Sequence, residues 1–331
     1  MLQEIGSEFC SVPVLDVATG VFPAATKWYL SGRSALYSII VSLVKKHSVR
    51  TIALPSWCCD SMITPFLNAG IQVSFYSVLG QKQCIGSVRE DALLVMDYFG
   101  FTGFSTVPAD YKGIVIRDVT HSLFSNVYMD AHYYFGSLRK WCGVWTGGFA
   151  WGVEPIEEAS ENFPEVVNLR CQAMADKQRY LSGEIEDKAF LSVFGQAEEI
   201  LDDLPGIYAA TQRDIHMATK IDAEYIRSKR RQNAAFLMDS LKEYCIFPEL
   251  KEGDCPLFVP IKVPNRDALK RKLIDRQIYC PVHWPVSNVH RLTEAQTSIY
   301  REELSLICDQ RYGLKEMEIL SKAVREEMGK Q

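Results

Sequence analysis

The chain has no long apolar run, no cysteine framework and no basic excess, and each absence excludes a class of protein. Its most apolar stretch, ALYSIIVSLV at residues 35–44, has ten residues and two serines, whereas a bilayer-spanning helix needs about 20 apolar residues. No membrane span is expected. Glu4, Glu8 and Asp16 stand where an export signal needs a basic start and an unbroken apolar stretch, so the cytoplasm is the expected compartment. Ten cysteines in 331 residues fall far below the roughly 8–10% of a disulfide scaffold. They form no C-x-x-C pair, and Cys58-Cys59 lack a second ligand pair at zinc spacing, so structural thiols are expected and no metal. With 36 Lys and Arg against 41 Asp and Glu, the chain has no basic stripe for a nucleic acid.

What is present is an ordinary apolar share, 47%, over a length that suggests about two domains. A helix pattern runs from Ser31 through ALYSIIVSLVKK, followed by a strand at 51–55 and a helix at 60–68. Further strands are expected at 72–77, 92–96, 113–117, 131–135 and 148–152. Apolar strands alternating with helices predict an α/β fold around a mostly parallel sheet. From about 154 the stretches EPIEEASENF and GEIEDKAFLSVFGQAEEILDDL read as acidic helices, leading into a long helical pattern at about 210–243. The tail reads strand 256–263, helix 266–277, strand 278–284 and helix 314–328, a small α/β unit. A large domain at 1–228 and a small one at 229–331 are expected.

Three places could carry chemistry. Ser31-Gly32-Arg33-Ser34 opens the first helix, where unpaired N–H groups, a close-approaching glycine, a hydroxyl and a guanidinium suit an anion; plain N-capping by Ser31 explains it equally. Asp118 ends the strand GIVIR and His121 follows three residues on, the place where open parallel sheets bind ligands, although a solvated loop acid is the simpler reading. Lys140 lies among Phe135, Leu138, Trp141 and Trp145, ahead of Gly147-Gly148. Partial desolvation there would lower its pKa and free the amine as a nucleophile, while a stem snorkelling from an apolar surface is the alternative. Ser137 and Lys140 also spell S-x-x-K, with Ser160-Glu161-Asn162 as its possible partner triplet, but no K-T-G follows.

Together these segments resemble the DegT/DnrJ/EryC1/StrS sugar aminotransferases, which use pyridoxal phosphate on fold type I. The matches are Ser31-Gly32-Arg33-Ser34-Ala35-Leu36 for the family's G-T-x-A-L turn, Leu54-Pro55-Ser56-Trp57, Tyr98-Phe99-Gly100, Asp118-Val119-Thr120-His121-Ser122 for D-A-A-[HQ]-[AS], and Lys140 with Gly147-Gly148. LSLICDQRYGLKEM resembles the closing strand and helix. The resemblance spans about residues 27 to 325 and describes a shortened, divergent member.

The resemblance implies a large domain with a mostly parallel sheet and a small C-terminal α/β domain. It implies pyridoxal 5'-phosphate held as a Schiff base on Lys140, with Asp118 on the pyridine nitrogen, His121 beside the ring, and Gly32, Arg33, Ser34 and Ser137 on the phosphate. Trp57, Cys59 and Tyr98 would line the ring, and Tyr98, His283 and Arg311 would meet substrate. The partners would be an amino-acid donor, glutamate by family habit, and a nucleotide-linked keto sugar, in a homodimer with a shared active site. The branch that replaces the lysine with histidine for dehydration does not fit Lys140. Three departures stand out: Cys59 where the stacking residue is aromatic, Phe135 where a serine precedes the lysine by five, and acidic helices at 154–205 in place of G-x-N-x-R. They motivate one alternative, a degenerate binding or scaffolding member of the same fold.

Overall fold

The computed structural model describes residues 4–80, 82–126, 129–154, 156–159 and 161–329. After a short strand β1 (Ile5–Gly6), the chain forms β2 (Lys27–Tyr29), α1 (Gly32–His47), β3 (Thr51–Pro55), α2 (Asp60–Asn68), β4 (Gln72–Leu79) and β5 (Lys82–Cys84). β6 (Ala92–Met96), β7 (Ile114–Asp118), β8 (Tyr133–Ser137) and β9 (Gly148–Gly152) follow. Eight strands make one sheet in the order β2-β9-β8-β7-β6-β3-β4-β5. Its centre, from β8 to β4, is parallel, and β9 and β5 run against their neighbours. β6 is buried along its whole length, as a strand covered on both faces must be.

The strands at 51–55, 92–96 and 148–152 and the helix at 60–68 stand where the sequence pattern put them. β7 and β8 lie one and two residues later than expected, which is what brings Asp118 and Ser137 onto strand ends. α1 starts on Ser31, whose side chain accepts from the Ser34 amide, and ends on Lys45, Lys46 and His47 against the helix dipole.

The remainder differs more. Residues 156–159 are not helical; helix begins only at α3 (Pro164–Ser182), which Pro164 opens, and returns as α4 (Phe190–Asp203). The long pattern at 210–243 is two helices, α5 (Gln212–Thr219) and α6 (Ala223–Ser240), because Asp222 caps a fresh start on Tyr225. α6 runs straight through residue 228. Beyond it come β10 (Phe258–Lys262), α7 (Arg266–Asp275), β11 (Ile278–Tyr279), α8 (Glu294–Glu302), β12 (Glu303–Ile307) and α9 (Leu314–Met328). β11 is only two residues long where seven were expected, and it pairs with β1 from the start of the chain. β10 and β12 pair antiparallel. No described helix is long and apolar enough to cross a membrane.

Candidate active site

A cavity of about 680 Å³ opens where the carboxyl ends of β6, β7 and β8 meet the amino end of α1 and the segments after β11 and β12, the position at which parallel sheets bind ligands. Asp118 lies on its floor, 5% exposed. Its Oδ1 accepts from the Thr120 amide at 2.8 Å, and no described Lys or Arg bridges it. Burial pushes its carboxyl up to about 6, against the opposing pull of Thr120 and Lys140. A buried acid so placed is stabilised as a carboxylate by a cation brought into the cavity.

His121 is also buried, and its Nδ1 accepts from the Phe99 amide at 3.3 Å. Burial, followed by the charge of Lys140, pushes the imidazole down to about 3. It is therefore neutral, with its proton on Nε2. The Tyr98-Phe99-Gly100 motif explains that contact. Phe99 takes φ 54° and Gly100 φ 83°, and a Cβ on Gly100 would meet the Cys255 carbonyl at 1.9 Å. The left-handed Phe99 costs roughly 1 kcal/mol or more, and the turn it makes aims the amide at His121.

Lys140 ends a 3-10 turn, Leu138–Lys140, directly after β8. Its side chain is exposed in the cavity, and Trp141 beside it is buried. Lys140 lines the cavity together with Asp118, His121, Cys59, Glu198 and His283. Ser137 lines the cavity next to Gly32, where a Cβ would come within 3.2 Å of the Ser137 Cβ. Glycine thus lets the first turn of α1, with amides the helix cannot satisfy, close on the end of β8.

The other expected residues divide. Gly32, Arg33, Cys59, His283 and Arg311 line the cavity; Ser34, Trp57 and Tyr98 do not. Trp57 and Tyr98 are buried and stacked on each other, 4.8 Å apart and 11° from coplanar. The Tyr98 hydroxyl donates to the Trp57 carbonyl, and the Trp57 indole donates to the His283 carbonyl at 2.6 Å. They brace the site from behind; at the cavity itself Trp284 lies over His121 at 5.6 Å and 23°, and Cys59 lines the wall. Ser34 serves the α1 cap. Ser160 lies outside the described residues.

The α3–α4 hairpin supplies a wall that the motifs did not foretell. Arg33 donates to the Leu201 carbonyl at 2.5 Å and to Asp202 at 2.8 Å, so its guanidinium is engaged by the end of α4. Glu198 pairs with Arg139 and Arg170; burial raises it, yet the two arginines hold it below its ordinary value. Opposite, Asp309 takes Arg311 in a two-toothed pair, and Arg311 packs on Phe9 at 4.0 Å. Among the described residues no three His, Cys, Asp or Glu side chains gather to hold a metal.

Pyridoxal phosphate fits this floor on three observations: an uncompensated buried carboxyl at Asp118, an exposed amine at Lys140, and the Gly32–Ser137 approach beneath an open helix terminus. No protein-family model matches the chain, and no curated protein sequence matches it. Solved structures do. The aminotransferase PseC of Helicobacter pylori, involved in pseudoaminic acid biosynthesis, superposes with TM-score 0.63 at 15% identity, covering 97% of this chain and 99% of its own. A DegT DnrJ EryC1 StrS aminotransferase from Brucella abortus gives 0.57 at 15% identity, over 91% and 85%. The E. coli GDP-4-keto-6-deoxy-D-mannose-3-dehydratase with bound hydrated PLP gives 0.62 at 13%, over 90% and 87%. The chain has the fold of these proteins, fold type I of the pyridoxal-phosphate transferases.

Proposed function

We propose that the chain is a pyridoxal 5'-phosphate-dependent aminotransferase of the DegT/DnrJ/EryC1/StrS kind. It moves an amino group from an amino acid, glutamate by family habit, to a nucleotide-linked keto sugar, and works as a cytoplasmic homodimer with small-molecule substrates only. The observation that carries this reading is the meeting of Asp118, His121 and Lys140 in one cavity beside the amino end of α1. The shared fold with a PLP-bound dehydratase and with sugar aminotransferases supports it.

When bound, the cofactor supplies an electron sink for the carbon that exchanges nitrogen. Asp118 would hold the proton on the pyridine nitrogen and be held ionised by it. Lys140 has the reach and exposure to carry the cofactor covalently and to move a proton as general base and acid. His121 presents Nε2–H as a donor. Ser137 and the first amides of α1 would take the phosphate, whereas Arg33 is committed to Asp202 and Leu201. Trp284 and the α3–α4 hairpin narrow the cavity against water.

Purified protein given pyridoxal phosphate is expected to develop visible absorbance, and borohydride followed by peptide mapping to mark Lys140. Addition of glutamate should bleach that absorbance. A protein that forms no adduct refutes the enzyme; an adduct that no amino acid bleaches refutes transamination. Sedimentation at micromolar concentration measures the dimer.

A further inference from the structure

We propose that Glu303, acting through Ser305, supplies a proton to His283, which delivers it from Nε2 to a ligand oxygen in the cavity. Glu303 and Ser305 stand two apart on β12 and so share one face of the strand. That face meets the segment after β11: the His283 amide donates to Glu303 Oε2 at 2.7 Å, and His283 Nδ1 lies 2.8 Å from the Ser305 hydroxyl. Ser305 Oγ is 2.5 Å from Glu303 Oε1. Glu303 is completely buried. No described cation bridges its carboxyl, since Arg266 bonds only its backbone carbonyl, at 2.8 Å. His283 lines the cavity, its ring 5.5 Å from that of His121, and its Nε2 has no described protein partner.

The chain of three has two complete hydrogen-bonding states. With Glu303 protonated, Oε1–H donates to Ser305 Oγ, the hydroxyl donates to His283 Nδ1, and the ring proton stays on Nε2. With Glu303 ionised, the hydroxyl donates to Oε1, Nδ1–H donates to the hydroxyl, and Nε2 holds a lone pair. Delivery of the Nε2 proton thus draws one proton from Ser305 to Nδ1 and one from Glu303 to Ser305. The ligand gains one proton, Glu303 loses one, and the imidazole is neutral throughout.

That neutrality matters because His283 cannot carry charge: burial, His121 and Lys140 push it well below its ordinary value. Glu303 can give up a proton near neutrality. Burial pushes it up to about 8, against Ser305, the His283 amide, Arg266 and Lys270. The proposed aminotransferase identifies the receiving oxygen as the carbonyl oxygen of the keto acceptor; the relay itself does not depend on that reading.

Nitrogen-15 NMR of the full-length chain labelled at histidine reads the two states. His283 Nε2 is expected to be protonated below and bare above about pH 8, with His121 keeping its Nε2 proton throughout. Glu303→Gln and Ser305→Ala should each abolish the His283 step. If Glu303→Gln does not fold, the wild-type titration and Ser305→Ala decide. A His283 that shows no step in the wild type, or a step that survives Ser305→Ala, overturns the relay. A protein that fails to bind pyridoxal phosphate on Lys140 yet shows the step refutes the aminotransferase alone.

Discussion

The cavity's floor and its walls are built on opposite terms. On the floor, Asp118 and Lys140 have no ionic partner among the described residues, and Ser137 lines the cavity beside Gly32. On the walls, Glu198 holds Arg139 and Arg170, Asp202 holds Arg33, and Asp309 holds Arg311. An unpaired buried acid costs stability and is retained where chemistry uses it. A paired one closes a surface. Changes on the floor should therefore cost activity and spare stability, and changes in the bracing and walls should do the reverse.

The largest effect is expected at Lys140. Lys140→Ala should lower kcat by about 10⁴-fold, the upper end for a positioned proton-transfer group, with the urea midpoint unchanged because the side chain is exposed. Stopped-flow and equilibrium unfolding measure the two sides. A midpoint that moves with activity would erase the distinction between floor and bracing.

Trp57 supplies the converse. It is fully buried, stacks on Tyr98 and bonds the His283 carbonyl. Trp57→Ala should cost about 3–5 kcal/mol, seen in chemical unfolding, while surviving folded protein still forms the Lys140 adduct. Loss of the adduct in folded protein would put Trp57 on the floor after all.

The same contrast explains what could be read from the chain. Asp118, His121 and Lys140 follow consecutive strand ends, so short-range spacing places them. The parallel core follows from apolar runs such as ALLVM. Trp57 and Tyr98 carry the motif residues yet face away, because one strand end offers two sides and spacing does not tell which is the cavity. Glu198, Asp202 and Glu303 gave no signal. They are acids among many, and contacts across 169 residues, as between Arg33 and Asp202, decide their roles. The stacking of Trp284 on His121 likewise joins residues far apart in the chain.

Asp118→Asn tests the floor by pH. The Asp118 carboxyl is raised from 3.8 to about 6 in the folded cofactor-free chain, so its native state binds the proton more tightly than the unfolded state. Its contribution to stability is present below about pH 4 and is lost as pH rises through about 6. Two units at about 1.4 kcal/mol each amount to roughly 3 kcal/mol. Asp118→Asn should therefore be more stable than wild type at pH 8 by up to that amount, relative to their difference at pH 3.5. Urea unfolding at the two pH values measures it. An identical pH dependence in both proteins would mean that Asp118 is not strained.

Asp202→Asn probes the boundary between wall and floor and should have the smallest effect. The pair is partly exposed, 16% at Arg33 and 69% at Asp202, so its loss should cost under about 1 kcal/mol of stability. The asparagine releases a guanidinium at the amino end of α1, where phosphate is already favoured. Inorganic phosphate should then compete with pyridoxal phosphate up to about fivefold more strongly than in wild type, the equivalent of roughly 1 kcal/mol. Chloride at matched ionic strength controls for screening. Unchanged competition would mean that the Leu201 carbonyl alone keeps Arg33 on α4, and that the acids of the wall do not withhold charge from the floor.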